Sequence, residues 1–244
     1  MDLKNRTILL TGGTSGIGSE LVPQLRSRDT HLVVLGRSQS KLDRLAEGGG
    51  VSTYLCDLSR REQIEKVMDE VIAQHPEISV LINNAAVQFT PSFVSDAFDY
   101  DSIQHEVTVN LTAPLWLTSL LLAGTLLQQE QARIVNVSSG LAFFPKTVSA
   151  VYCATKAALH SVSQSLRYQL EGSSVGVTEV VLPLVDTPMT HGRGRGKLSA
   201  ERAAAGIIQA VETDRDEVYL GKARFLPFMA RIAPQLMKNI LKRS

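Results

Sequence analysis

Cysteine is scarce in this sequence. Cys56 and Cys153 are the only two among 244 residues, too few for a disulfide framework and without the spacing of a zinc site. No metal is therefore expected, and a reducing compartment is. A charge excess of one sign is missing as well. Twenty-five Lys and Arg face 24 Asp and Glu, a net charge of +1, so no basic field argues for a nucleic-acid partner. A long apolar run is also absent. The longest, Ala113 to Leu127, is broken by Pro114, Thr118, Ser119, Gly124 and Thr125, which argues against a membrane span. Met1 to Arg6 leads straight into a strand-like run with no signal-peptide pattern. The expected localisation is cytoplasmic. No internal repeat or linker divides the chain, so one domain over 1–244 is expected.

What is present is a repeated alternation. Thr7–Leu10 reads as a buried strand, Thr11–Gly18 as a glycine-rich turn, and Ser19–Arg28 as a helix. That context suits a phosphate, which glycine backbone can approach closely and a helix N-terminus can hold. His31–Leu35 is a second strand. At its end, where a ribose-binding carboxylate would sit in a dinucleotide fold, stands Arg37. Its charge and fork suit a 2′-phosphate.

Further along, Ser38–Glu47 reads as a helix and Val51–Cys56 as a strand closed by Asp57 and Leu58. Ser59 and Glu62 have the spacing of a capping box for a helix to Gln74. Ser79–Ile82 is a strand that runs into Asn83 and Asn84. One long helix is expected from Tyr100 to Gln129 despite Pro114. Arg133–Val137, Val175–Leu182 and Glu217–Leu220 are strands, and Val151–Leu170 is a helix. Strands alternating with helices predict an α/β fold: one Rossmann-type, doubly wound parallel sheet with helices on both faces. Ligands then bind at the carboxyl ends of the strands.

The candidate chemistry follows that geometry. Tyr152 and Lys156 are four apart, so a helix stacks them on one face. An ammonium beside a phenol is expected to lower the phenol's pKa. Ser139, at the end of a buried strand, brings a hydroxyl to the same end of the sheet. Such a group suits proton transfer to a carbonyl oxygen.

In their joint order, Thr11-Gly-x-x-x-Gly-x-Gly18, Asp57, Asn83-Asn-Ala85, Asn110, Ser139, Tyr152-x-x-x-Lys156 and Pro183–Thr187 resemble the short-chain dehydrogenase/reductases in their compact form. Ile134–Phe143, Val151–His160 and Leu182–Thr187 look most like the DltE-type oxidoreductases, whose substrates are poorly defined. The resemblance implies a hydride-transferring oxidoreductase acting on a small carbonyl or alcohol, with Tyr152 as general acid and base. Lys156 would lower the Tyr152 pKa and bind the nicotinamide ribose. Ser139 would hold the substrate oxygen, and Asn110 would anchor a water in a relay to Lys156. Gly12, Thr14, Ser15, Gly16, Ile17 and Gly18 would surround the pyrophosphate. Asp57 and Leu58 would meet the adenine, and Asn84, Ala85 and Ala86 the adenosine side. Pro183, Val185 and Thr187 would meet the nicotinamide. Homodimers or homotetramers are common in this family.

NADP(H) is the expected cofactor, on Arg37, with NAD(H) as the alternative. The sequence departs from the family at Ala86 and Leu184, where glycine is usual. A nucleotide-sensing protein without catalysis is the competing reading, weakened by the intact Asn110, Ser139, Tyr152 and Lys156. A sugar epimerase is a third, without the right glycine spacing.

The substrate wall is expected to include Phe89, Leu141, Phe143, Phe144 and Met189, which equally suit a core. Thr190–Ser199 reads as a mobile lid whose Arg193, Arg195 and Lys197 either meet solvent, the favoured reading, or an anionic substrate. The tail, 222–244, has six basic residues and no acidic one. It is expected to pack on the fold or roof the site, with contact to an anionic membrane as the alternative.

Overall fold

A computed structural model describes residues 1–94 and 99–242. The last two residues of the basic tail, Arg243 and Ser244, lie outside the described residues. The first half of the chain reads β1 (Thr7–Thr11), α1 (Gly16–Arg26), β2 (His31–Gly36), α2 (Gln39–Ala46), β3 (Val51–Leu55), α3 (Arg61–Gln74) and β4 (Ile78–Asn83). Then come α4 (Tyr100–Val107), α5 (Ala113–Gly124), β5 (Ala132–Ser139), α6 (Ala150–Gln169) and β6 (Val175–Leu182). Two short strands follow, β7 (Val185–Asp186) and β8 (Leu198–Ser199), then α7 (Ala200–Glu212) and β9 (Glu217–Tyr219). Helices α8 (Leu226–Ile232) and α9 (Pro234–Lys242) end the described chain.

Seven strands form one sheet in the order β3-β2-β1-β4-β5-β6-β9, and every neighbouring pair is parallel. Consecutive side chains leave a strand on opposite faces, so both faces of a buried parallel strand must be apolar. β1 obeys this. Leu10 joins Val34 and Ile82 beneath Leu21 of α1 and Ile207 of α7. Leu9 joins Val33 and Leu81 on the other face, with Ile64 of α3 and Leu117 of α5. The strand order reverses between β1 and β4, and right-handed crossovers leave a crevice there at the carboxyl ends.

Two local expectations are corrected. Ser59 does not cap α3. Its N–H and hydroxyl both donate to Asp57 Oδ1, at 2.9 and 2.8 Å. The helix begins at Arg61 with Arg60 in the cap position and no side-chain cap. The nearer Asp57 carboxylate takes the serine into its own turn.

Nor is the segment from Tyr100 one uniform α-helix. Asp99 caps it, accepting from Ser102 N at 3.2 Å. At Thr108–Thr112 it widens into a π turn, and the Ala113 N–H reaches back to Thr108 O. Pro114 has no N–H, so the Asn110 carbonyl lacks the donor an α-helix would supply. By length and composition the helical stretch Tyr100–Gln128 could cross a membrane. Here Leu117, Leu121 and Leu126 are instead buried against the sheet.

Candidate active site

A cavity of about 690 Å³ opens at the carboxyl ends of the strands. Gly12, Thr14, Ser15, Gly16 and Ile17 line one side of it. Gly12 adopts φ +69°, and a Cβ there would stand 2.9 Å from Ala85 Cα. The turn therefore closes on the β4 loop only because position 12 has no side chain. Gly18 is behind the turn rather than in the cavity wall. A Cβ there would collide with Gly12 O at 1.9 Å, so the close packing of α1 on the turn requires glycine at this position.

The α1 N-terminus faces this space with Ser15 at the cap, no side-chain cap bond and no acidic residue in the first turn. Its amides are thus available to an anion. The β1 and β4 ends are tied together. Thr11 Oγ1 accepts from the N–H groups of Asn84 and Ala85, both at 3.0 Å. The Asn84 side chain donates to Thr11 O at 3.0 Å.

Arg37, Asp57, Leu58, Asn84, Ala85 and Ala86 all border the cavity. Among the described residues exposed Arg37 pairs with no carboxylate. Burial would raise the Asp57 pKa, but the two hydrogen bonds from Ser59, with the nearby His105 and Arg60, together hold the carboxyl below its ordinary value. On the opposite wall stand Pro183, Val185 and Thr187.

Ser139, Tyr152 and Lys156 converge on the same cavity. Ser139 ends β5, where its Oγ accepts from Leu141 N at 3.2 Å. Tyr152 and Lys156 share a face of α6. Lys156 is buried and donates to Val137 O at 2.8 Å. Burial lowers its pKa to about 8, against an opposing pull from Glu179. The lowered phenol pKa expected for Tyr152 is not what this arrangement gives. Burial raises it, and a hydrogen bond with Ser139 opposes the rise. The reason is geometric: the ammonium turns to Val137 O and stands 5.7 Å from the Tyr152 ring centre.

Asn110 sits in the π turn, outside the cavity wall. Its Oδ1 accepts from Val87 N and its Nδ2 donates to Val87 O, both at 2.8 Å. The side chain thus clamps the loop after β4, and its Nδ2 also reaches Thr155 Oγ1 of α6 at 3.4 Å.

The expected aromatic wall is largely corrected. Leu141 and Met189 line the cavity. Phe144 is buried in the core. Phe143 packs on the His160 ring at 4.7 Å and near Tyr219 at 5.9 Å. Phe89 stacks edge-on with His105 at 5.8 Å. Their places in the wall are taken by Leu184, Leu226, Met237 and Leu241. The tail therefore roofs the site, and Thr147 Oγ1 fastens its end by donating to Lys242 O at 2.8 Å.

The 190–199 segment is tied down at both ends. Leu198 N donates to Leu184 O at 2.9 Å. Lys197 Nζ reaches Asp186 Oδ1 at 3.1 Å and Thr190 O at 2.8 Å. Arg193 Nη1 donates to Gln88 Oε1 at 2.6 Å. Two of its three cations are thus engaged within the fold, and Arg195 is exposed.

A family model for the short chain dehydrogenases matches residues 6–197. The chain belongs to that family. It is 40% identical over 226 residues to the uncharacterized oxidoreductase DltE of Bacillus subtilis (strain 168), covering 89% of each chain. It also resembles a short chain dehydrogenase of Burkholderia cenocepacia J2315 solved with NADP, with a TM-score of 0.85 at 24% identity over 99% of each chain. A short-chain dehydrogenase of Sphingobium yanoikuyae solved with NADPH gives a TM-score of 0.82 at 25% identity over 96% of each.

Two features at or beside this short-chain dehydrogenase's cavity gave no sequence signal, the Gln88–Arg193 pairing and the burial of Glu106. Gln88 and Arg193 face each other only after folding. Glu106, two residues before the π segment, is buried, with Oε1 accepting from Phe89 N at 3.4 Å and Oε2 without a hydrogen-bond partner among the described residues. Burial pushes its pKa up to about 7. A lone Glu in an amphipathic helix reads as solvated, and nothing in its spacing marks it as buried.

Proposed function

We propose that this protein is an NADP(H)-dependent oxidoreductase that interconverts a hydrophobic carbonyl compound and its alcohol. The observation that carries the reading is the convergence of Ser139, Tyr152 and Lys156 on one cavity with an uncapped helix N-terminus and a glycine turn. The cradle fits a dinucleotide, since a side chain at position 12 would close it against Ala85. Arg37 suits the 2′-phosphate, in keeping with the NADP and NADPH held by two structural relatives. Asp57 and Leu58 would border the adenine, Asn84 to Ala86 the adenosine, and Pro183, Val185 and Thr187 the nicotinamide. When bound, the nicotinamide supplies the hydride in reduction and accepts it in oxidation.

In reduction, Tyr152 gives its phenolic proton to the carbonyl oxygen, and in oxidation it takes the proton back. The Ser139 hydroxyl donates a hydrogen bond to the same oxygen as charge grows there. Lys156, buried beside them, supplies positive charge. The Asn110 carbonyl holds a water that returns a proton from solvent. The apolar residues Leu141, Leu184, Met189, Leu226, Met237 and Leu241 favour a hydrophobic substrate.

A panel of ketones and aldehydes with NADPH and with NADH, followed at the cofactor absorbance, tests the reading. Turnover of hydrophobic members with NADPH is expected. Tight NADPH binding with no turnover across the panel would overturn it in favour of a nucleotide sensor.

A further inference from the structure

The helices that roof the cavity have a second face. Leu226, Met237 and Leu241 point to the cavity. Phe225, Phe228, Ile232, Leu236 and Ile240 stand outside, each 52–66% exposed. Phe225, Phe228 and Ile232 recur at three and four through the start and length of α8, and Leu236 and Ile240 lie four apart on α9, so each side of the break at Ala233 carries its own outward apolar stripe. Scattered single apolar residues on a surface are ordinary, but contiguous stripes of them mark an interaction site. Around these stripes Arg224, Arg231, Lys238 and Lys242 are all exposed, and no acidic residue occurs from 222 to 244. Among the described residues none of these four cations forms an ion pair with a carboxylate.

We propose that α8 and α9 dock this protein on an anionic lipid bilayer. The outer stripes enter the boundary between headgroups and acyl chains, and the four cations meet lipid phosphates. Charge decides between this occupant and a second copy of the chain. A two-fold contact through the same face would bring the four cations of one copy into one interface with the four of the other, with no tail carboxylate to neutralise them. An anionic surface satisfies both the apolar stripes and the charge. Docking does not depend on the oxidoreductase reading. Its consequence does: the roof of the cavity would lie at the membrane, so a lipid-dissolved carbonyl could enter from the bilayer side.

Co-sedimentation of the full-length protein with vesicles tests the docking without any activity. Vesicles of phosphatidylcholine alone are compared with vesicles containing phosphatidylglycerol. Binding to the anionic vesicles is expected, weakened by high salt. Phe228→Ser with Ile232→Ser, and separately Arg231→Glu with Lys238→Glu, should each lower binding on the order of tenfold or more. None of these residues lines the cavity, so NADPH binding by the same preparations should be unchanged, which reports intact folding. The proposal is overturned if wild type stays in the supernatant with anionic vesicles. It is overturned equally if the variants bind as wild type does. A dimer that the apolar variants dissociate, without vesicle binding by wild type, would assign the face to a second copy instead.

Discussion

Arg193 and Gln88, 105 positions apart in the chain, meet at 2.6 Å across the cavity mouth. The bond links the segment after β7 to the loop after β4, two stretches that both line the cavity. Arg193→Ala should raise KM for the carbonyl substrate about fivefold, corresponding to about 1 kcal/mol for a partly solvated charged hydrogen bond. Gln88→Ala should do the same, and the double variant should cost no more than either alone. Additive effects would mean that the two side chains do not act through each other.

Tyr152 is the group placed to move a proton. Tyr152→Phe keeps the ring and deletes the hydroxyl. Turnover should fall roughly a hundred- to ten-thousandfold, while NADPH affinity, measured by fluorescence titration, stays close to wild type. Near-wild-type turnover in this variant would remove Tyr152 from the mechanism.

Arg37 stands at the rim without a carboxylate partner among the described residues. Arg37→Ala should weaken NADPH about tenfold, as expected for one lost charged hydrogen bond, and leave NADH nearly unaffected. Equal losses for both cofactors would place the 2′-phosphate elsewhere.

Glu106 should make stability depend on pH. Burial holds its pKa up at about 7, so the fold favours the neutral carboxyl. That contribution is whole below the ordinary carboxylate pKa and is lost as the pH rises through about 7. Its size is roughly 3 kcal/mol at most. Urea unfolding at pH ~5 and pH ~8 should show wild type losing stability toward the higher pH. Glu106→Gln, which keeps an acceptor for Phe89 N, should flatten the difference. An unchanged slope in the variant would assign the dependence to other groups.

A buried polar chain crosses the sheet near the site. Asn83 Nδ2 donates to Asn136 Oδ1 at 2.9 Å, and Asn136 Nδ2 to Ser163 Oγ at 2.9 Å. Asn136→Ala would strand the buried Asn83 amide, while Ser163 Oγ keeps its bond to Leu159 O. The expected loss is about 1–3 kcal/mol, the cost of one buried donor left unpaired. Thermal and urea denaturation would measure it, and a loss under 0.5 kcal/mol, the scale of a surface substitution, would mean that water replaces the missing amide.

The sequence by itself determined the seven main strands, their parallel arrangement, the glycine turn and the residues that meet at the strand ends. These are local or periodic properties: burial on both faces forces continuous apolar runs, and a helix stacks positions four apart. Tertiary structure decided what those residues do to one another. Lys156 donates to Val137 O, a backbone acceptor 19 positions away in the chain, and no spacing records that. The π turn at Asn110 came from a widened helix whose next turn has a proline. Phe143 left the substrate wall for the rings of His160 on α6 and Tyr219 on β9, and Phe144 left it by being buried. The tail became a roof because its apolar residues, too few for a core of their own, met the open end of the cavity.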